Sequence, residues 1–404
     1  MSTSLLYHGL GIRGYRYVRT LYEEGGVVFV IDQARKNYRC SHCGSDRVTS
    51  RGRKRRRWRV VPFGRKPVFV EFAVPRLHCW SCHRTRQAAV PFAEPKKHYT
   101  RAFARYVLEL SRSMTIQDVA DHLGISWDTV KEIQRKYLKA HFAKPKLKQL
   151  KQIAIDEISI GKGHRYVTVV LDLESGAVVF VGQGKSAQTL DPFWVRLRAS
   201  HAKIQAVATD MSPAYIAAIV ENLPDAVHVF DRFHVVKLFN EELSELRREL
   251  YREATDLLQK KVLKGTRWLL LKNPENLDDE KDESKRLKEA LALNTSLAAA
   301  YYLKEDLRQF WRQKTYLKAA RFLDRWCQRA EATGIRRMQK LANTIRGHRT
   351  GLLNWYVYPI STGPLEGTNT KLRAMQRQSY GFRDKEFFYL KIYQLHETKH
   401  ALVG

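Results

Sequence analysis

Acidic residues are scarce in this chain of 404 residues, which has 41 Asp and Glu against 72 Lys and Arg and a formal net charge of +31. Long apolar runs are missing too. No stretch of 18 apolar residues occurs, and the opening MSTSLLYHGLGIRGYRY holds no sustained apolar segment. These absences argue against a membrane-spanning or secreted protein, so we expect a cytoplasmic, nucleoid-associated one with no membrane partner.

Internal repeats and nucleotide-binding loops are also absent. No G-x4-GK[ST] motif occurs, so we expect no nucleotide cofactor. The apolar content of 44% is ample for packed cores, and the length suggests about two to four domains.

The basic excess is uneven. Residues 1–150 contain 31 Lys and Arg against 11 Asp and Glu, a net charge of +20. Such a field attracts polyanions, and double-stranded DNA is the partner that this charge favours. A merely solubilising surface is the alternative.

Four of the five cysteines form two C-x2-C pairs, Cys40 with Cys43 and Cys79 with Cys82. This spacing predicts a structural Zn²⁺ site with four thiolates in a zinc ribbon. Disulfides and redox chemistry are weaker interpretations for reduced thiols. Three nearby histidines are alternative ligands, namely His42, His78 and His83. Cys327 is expected in a core.

A basic tract, RGRKRRRWR, lies between the two cysteine pairs, with seven basic residues in nine. Such crowding is unfavourable unless an anion lies across it, so the tract predicts a DNA-phosphate contact. A solvated loop is the alternative. The predicted DNA-binding residues here are Arg53, Lys54, Arg55, Arg56 and Arg57.

The segment MTIQDVADHLGISWDTVKEIQRKYL has the pattern of a helix-turn-helix. Ala120 allows close helix contact, Gly124 suits the turn, and Ser126 caps the second helix. An ordinary helical hairpin is the alternative. The residues expected on or near the exposed, DNA-binding face are Ser126, Trp127, Asp128, Thr129, Lys131, Glu132 and Arg135.

Strand patterns begin near residue 150. Three meander strands, IAIDEISI, RYVTVVLDL and GAVVFVGQG, precede strand–helix alternation, an order typical of a ribonuclease-H-like α/β sheet. The first and fourth strands of that fold are neighbours, so Asp156 and Asp210 are expected to meet and to hold divalent metal. Glu157 and Asp172 are alternatives to Asp156.

A third acid lies near the C-terminus. In STGPLEGTNTKLRAMQRQ, Pro364 fits the first turn of a helix capped by Thr362 or Gly363, which places Glu366 near its start. Helical spacing puts further polar residues on the Glu366 side, where they would hold the DNA backbone. These residues are Asn369, Thr370, Arg373 and Arg377.

The order of zinc ribbon, helix-turn-helix, DEISIGKGHRYVTVVLDL, TDMSPAY, FDRFHVVKLFN and GPLEGTNTKLRAMQRQSYGFR resembles the ISL-three family of bacterial insertion-sequence transposases along nearly the whole chain. The resemblance implies a DDE triad of Asp156, Asp210 and Glu366. It also points to Asp231 and His234, a D-x-x-H pair for which helix capping or core packing is the alternative role.

The implied reaction is cleavage and 3′-OH strand transfer by two Mg²⁺ (or Mn²⁺) ions. The implied partners are terminal inverted repeats and target DNA, which a homodimer would bind as paired ends. A zinc and helix-turn-helix regulator without catalysis is one rival function. A ribonuclease-H-type nuclease lacking strand transfer is another.

We predict a multidomain α/β chain whose catalytic core is interrupted by helices. Its parts are a zinc-ribbon domain (1–95), a helix-turn-helix domain (96–148), the first part of the core (149–240), a helical insertion (241–352) and the last part of the core (353–404). Four tryptophans are expected to be core or packing residues, namely Trp268, Trp311, Trp326 and Trp355, and stacking of an exposed one on a flipped base is the alternative.

Overall fold

The computed structural model describes residues 4–23, 25–161, 163 and 165–396. Their contacts form two units, which are considered separately. Unit 1 holds the described residues up to 143 with 378–390, and unit 2 holds 144–377 with 391–396. No helix in the described part of the chain has the length and apolarity needed to cross a membrane.

Unit 1 contains a five-stranded sheet with the strand order β1-β2-β4-β3, in which β5 also pairs with β4. Its elements are α1 (Leu5–His8), β1 (Arg16–Glu23), β2 (Gly26–Asp32), β3 (Val48–Phe63), β4 (Lys66–Cys79) and β5 (Thr85–Gln87). The alternating residues Trp58, Val70 and Phe72 bury one face of the long β3–β4 hairpin.

Three helices follow in unit 1: α2 (Arg101–Leu110), α3 (Ile116–Leu123) and α4 (Trp127–Phe142). Thr115 and Asp118 form a capping box at the start of α3. Gly124 ends α3 with a φ of 60°, a left-handed conformation that glycine adopts at little cost. Ser126 caps α4, as the sequence predicts.

Unit 2 is built on a second sheet with the order β10-β9-β6-β7-β8. In chain order its strands and associated helices are β6 (Gln152–Gly161), β7 (Arg165–Asp172), β8 (Val178–Gln183), α5 (Asp191–Ser200), β9 (Ala206–Thr209), α6 (Pro213–Asn222) and β10 (Val227–Phe230). The three meander strands are antiparallel, whereas β9 and β10 run parallel to β6. This is the expected ribonuclease-H-like arrangement.

Helices fill the chain after β10. They are α7 (Arg232–Glu253), α8 (Leu257–Gly265), α9 (Arg267–Leu271), α10 (Glu283–Ala292), α11 (Thr295–Leu307), α12 (Tyr316–Ala332), α13 (Arg336–Gly347), α14 (Arg349–Leu353), α15 (Gly363–Gln378) and α16 (Lys385–Tyr393). Helix α7 runs across the predicted boundary at residue 240.

Helices α7 to α14 of unit 2 share one large core. Trp311 and Trp326 are buried in it, as expected, and Cys327 is buried beside them. Trp355 is half-buried and packs against the same core. The prediction for Trp268 was wrong. Its side chain is 65% exposed and lies under the Arg267 guanidinium, 4.6 Å from its ring centroid.

Candidate active site and metal centre

The four paired cysteines of unit 1 converge at one end of the β3–β4 hairpin. Cys79 ends β4 opposite Val48, the first residue of β3, so the hairpin brings the two pairs together. Their sulfur atoms all lie within 4.8 Å of one another, and the cysteines are not disulfide-bonded. Four thiolates around a tetrahedral Zn²⁺ at about 2.3 Å have sulfur separations of about 3.8 Å, so the cluster fits zinc.

The histidine alternatives do not join this cluster in the described part of the chain. The Nδ1 of His78 instead lies 3.0 Å from Thr85 Oγ1. The first knuckle is closed by a hydrogen bond from Gly44 N to Cys40 O (3.0 Å), with Gly44 at a φ of 76°.

The basic tract lies on β3, so its interpretation as a solvated loop was wrong. Lys54 and Arg55 are exposed. Arg53 donates to the Tyr38 hydroxyl (3.0 Å), and Arg57 lies between Glu23 and Glu71, at 2.9 and 3.0 Å. Arg56 lies 5.0 Å from the centroid of the Trp58 ring. Of the five residues, Lys54 and Arg55 are thus exposed, whereas Arg53, Arg56 and Arg57 contact other side chains of unit 1.

The helix-turn-helix presents Trp127, Asp128 and Glu132 to solvent. Lys131 and Arg135, expected on the same exposed face, are half-buried and paired to Asp384, which lies 3.0 Å from Lys131 Nζ. The expectation of exposure was wrong for these two cations because residues 378–390 pack against α4 within unit 1. Thr129 is half-buried as well.

Asp156 and Asp210 follow the paired parts of two neighbouring parallel strands. Ala154 of β6 pairs with Ala208 of β9; Asp156 lies two residues further along β6, and Asp210 directly follows the last residue of β9. Both aspartates therefore come just after the paired residues of two neighbouring strands, which lie about 4.8 Å apart. The predicted neighbourhood of the first and fourth strands is confirmed.

The Asp156 carboxylate is embedded in unit 2. Its Oδ1 accepts a hydrogen bond from Glu157 N (2.9 Å), and its Oδ2 accepts one from Asn369 Nδ2 (3.2 Å). Burial raises the pKa of Asp156 to about 6, an effect that the nearby charge of His234 opposes and the charge of Glu157 reinforces. Asp210 Oδ1 accepts from Ser212 N (2.9 Å).

Glu157 and Asp172, the alternatives to Asp156 as a metal ligand, do not lie on the Asp156 side of the strand end. Successive strand residues point to opposite faces, so Glu157 points away from the Asp156 side, toward the core that contains Ile155 and Tyr215. Asp172 pairs with Ile153, three residues before Asp156 on β6, and its carboxylate accepts from Glu174 N (3.2 Å) in the following turn.

Helix α15 carries the third acid. Thr362 O accepts hydrogen bonds from Leu365 N (2.8 Å) and Glu366 N (3.1 Å), so Thr362 precedes the first turn as predicted. Glu366 is exposed in that turn. Asn369 is half-buried against Asp156, whereas Arg373 and Arg377 are exposed.

Asp231 joins two elements of this site. It is 2% exposed and caps α7, with Oδ2 accepting from Phe233 N (3.0 Å). Its Oδ1 accepts from Thr362 N (3.1 Å), just before α15. Because both oxygens are engaged by backbone donors, Asp231 fixes the start of the helix that carries Glu366.

Sequence reasoning missed His228 on β10. Its Nε2 lies 2.7 Å from the hydroxyl of Thr209, the buried residue before Asp210. Burial lowers the pKa of His228 to about 4, with a further contribution from His348. A lone histidine in an apolar strand gives no signal in the sequence, because its partner is set by strand pairing.

The aspartate pair fits a divalent cation in its donor chemistry, since hard oxygen ligands suit Mg²⁺. Among the described residues, however, the four cysteines are the only group of three or more acidic, histidine or cysteine side chains gathered closely enough to hold an ion. An ion held by Glu366 together with the aspartates would require movement of the exposed Glu366 side chain or of α15.

Three protein-family models match this chain, one for each of its predicted parts. Residues 36–82 match the zinc finger of transposase IS204/IS1001/IS1096/IS1165, residues 88–138 match the helix-turn-helix domain of transposase family ISL3, and residues 153–392 match the DDE family of ISL3 type described as "Transposase". The matches follow the order of the elements described above.

Two relatives agree with these matches. The chain is 32% identical over 358 residues to the transposase for insertion sequence element IS1001 of Bordetella parapertussis, covering 87% of each protein. It is 32% identical over 373 residues to the transposase for IS1557 of Mycobacterium tuberculosis, covering 86% of this chain and 83% of the relative.

Among solved structures, the Drosophila P element transposase strand transfer complex aligns with 10% identity and a TM-score of 0.41. The alignment covers 74% of this chain and 92% of that one. This chain belongs to the ISL3 family of insertion-sequence DDE transposases, enzymes that cut and join DNA with divalent metal.

Proposed function

We propose that this transposase binds the terminal inverted repeats of its own insertion sequence, cleaves DNA at their ends and joins the 3′-OH to target DNA. Asp156, Asp210 and Glu366 are the proposed catalytic acids. The observation that supports the proposal is the pairing of β6 with β9, since Asp156 and Asp210 each come two residues after the paired Ala154 and Ala208, and Asp156 is bonded by Asn369 of the helix that carries Glu366.

These carboxylates would hold two Mg²⁺ ions, which when bound lower the pKa of an attacking water and stabilise the leaving oxygen. The chain's own groups supply the positioning. Asp231 holds the start of α15, and the exposed Arg373 and Arg377 lie further along the same helix, where they would hold the DNA backbone. His234 lies close enough for its charge to act on Asp156, which suits a role in stabilising the ionised carboxylate.

Binding of the repeats is assigned to unit 1. The exposed Lys54 and Arg55 would contact phosphates, and Trp127 at the start of α4 is placed to reach base edges. Paired ends imply that two copies of the chain act together, so we propose a homodimer on DNA. A nucleoid-associated, cytoplasmic location would follow from that substrate.

The test uses the purified full-length chain, Mg²⁺ and DNA containing the ends of its element. We expect cleavage at the repeat ends followed by joining to a target plasmid. Asp156→Asn and Glu366→Gln should abolish cleavage while keeping repeat binding, because neither change removes a proposed DNA contact. Cleavage without joining would favour the nuclease, binding alone would favour the regulator, and substantial cutting by either variant would exclude that residue.

A further inference from the structure

Asn369 has a side-chain oxygen that the fold leaves without a donor. Its Nδ2 donates to Asp156 Oδ2 at 3.2 Å, whereas its Oδ1 is buried and meets no hydrogen-bond partner within the described part of the chain. Buried polar atoms are nearly always paired, so an unpaired oxygen beside a carboxylate needs an explanation.

The orientation of the amide follows from its neighbour. An ionised carboxylate only accepts hydrogen bonds, so the NH₂ group must be the end of the amide that bonds Asp156, and the amide oxygen beside it cannot use this carboxylate as a partner. The oxygen is an acceptor too, and a DNA phosphate presents only acceptors. The oxygen of Asn369 therefore cannot hold the DNA backbone.

The position of Asn369 is fixed from both sides. Before it, Thr362 N is bonded to Asp231, and after it, Gln376 Nε2 donates to Ile160 O of β6 at 3.2 Å. Leu365 and Leu372 are fully buried beneath the helix. Helix α15 is thus held along β6, with Asn369 between the two attachments and one turn after Glu366.

A cation beside the Asp156 carboxylate would give Asn369 Oδ1 the partner that it lacks. Neutral amide oxygens are hard ligands that Mg²⁺ and Mn²⁺ accept beside carboxylates. We propose that Asn369 belongs to the divalent-cation site, where Nδ2 orients the Asp156 carboxylate and Oδ1 supplies a further oxygen ligand. This inference rests on the proposed function and assigns Asn369 to the metal in place of the DNA backbone.

The experiment measures Mn²⁺ binding to the full-length protein without DNA, by electron paramagnetic resonance of the free ion. Asn369→Ala should raise the Mn²⁺ dissociation constant about tenfold or more, whereas Asn369→Asp should stay within about threefold of the wild type because it keeps an oxygen there. Lys371→Ala, an exposed change on the same helix, should bind normally. Thermal unfolding in Mn²⁺-free buffer checks that each variant is folded.

Normal Mn²⁺ binding by Asn369→Ala would overturn the proposal. An equal loss in Asn369→Asp and Asn369→Ala would overturn the ligand role of the oxygen, since only the Nδ2 donor would then matter. Asp156→Asn separates this inference from the proposed function. If Asp156→Asn binds Mn²⁺ normally, the proposed metal site at the aspartates is wrong. If Asp156→Asn loses Mn²⁺ binding but Asn369→Ala does not, only the proposed role of Asn369 is wrong.

Discussion

At the scale of single residues, the catalytic region is organised by buried polar groups that link elements distant in sequence. Asp231 bonds the starts of α7 and α15, and His228 bonds the residue before Asp210. Each of these groups sits in apolar surroundings, where the loss of a partner costs more than it does at the surface. Changes to Asp231 or to the protonation of His228 should therefore alter the free energy of unfolding.

Asp231→Ala should destabilise the protein by about 2–3 kcal/mol, because it removes a helix cap and leaves Phe233 N and Thr362 N without an acceptor. Asp231→Asn keeps one acceptor oxygen and should cost less. Urea unfolding monitored by circular dichroism measures both values. An alanine variant as stable as the wild type would show that these bonds do not hold α15.

His228 should contribute a loss of stability in mild acid, opposite in sign to the contribution of Asp156, whose pKa is raised to about 6. The pKa of His228 is about 4 in the fold and about 6.5 when unfolded, so the neutral imidazole favours the folded state above pH 6.5. That contribution is lost as the pH falls from 6.5 to 4, by up to about 3 kcal/mol. Relative to the wild type, His228→Gln should therefore gain unfolding stability as the pH falls from 6.5 to 4, and a difference between the two proteins that does not change with pH would contradict the account.

At the scale of elements, the zinc ribbon and the helix-turn-helix depend on different forces. The first is held by four thiolates at one end of the β3–β4 hairpin, and the second by an apolar core and capped helices. Metal removal should therefore disturb the ribbon and leave the helices of the helix-turn-helix folded.

The purified chain should contain one zinc ion, and Cys40→Ser should lose most of it together with the affinity for repeat DNA. Cys327→Ala is the matched control, since Cys327 is buried in the helical core. Zinc content is measured by mass spectrometry of the metal. Full zinc in Cys40→Ser, or loss of zinc in Cys327→Ala, would contradict a site made of the two C-x2-C pairs.

Asp384 holds two cations of α4 that sequence analysis assigned to DNA. If Lys131 and Arg135 are DNA contacts, Asp384→Asn should release them and tighten DNA binding about threefold or more at low salt. Glu109→Gln removes one acidic charge at an exposed position and is the matched control. Equal effects of the two changes in a fluorescence-anisotropy titration would show that only net charge matters.

Local sequence patterns predicted the elements better than the surroundings of their side chains. The capped α4, the ribonuclease-H-like strand order and the start of α15 all depend on short-range signals such as Ser126, alternating strands and Pro364. Lys131 and Arg135 are less exposed than the helix pattern predicted, because their partner Asp384 lies about 250 positions away in the sequence. Asn369 and Asp156 are likewise far apart in the sequence. Helical spacing therefore predicted that Asn369 lies on the same side of α15 as Glu366, but it did not predict the hydrogen bond to Asp156.

At the scale of the whole molecule, the net charge of +31 sets the conditions for DNA binding. Affinity for DNA of any sequence should fall steeply as salt rises, because each neutralised phosphate releases counterions. The net charge explains binding to DNA but not its cleavage. The central claim is that three acids, contributed by β6, the end of β9 and α15, bind metal at one phosphodiester.

Metal rescue of cysteine variants tests that claim most directly. Asp156→Cys, Asp210→Cys and Glu366→Cys should each fail to cleave repeat ends in Mg²⁺ and should regain cleavage in Mn²⁺ or Cd²⁺, because thiolates bind these softer ions better. Glu157→Cys, on the opposite face of β6, should need no rescue. Cleavage in Mg²⁺ by any of the three variants, or failure of all three to respond to softer ions, would contradict the account.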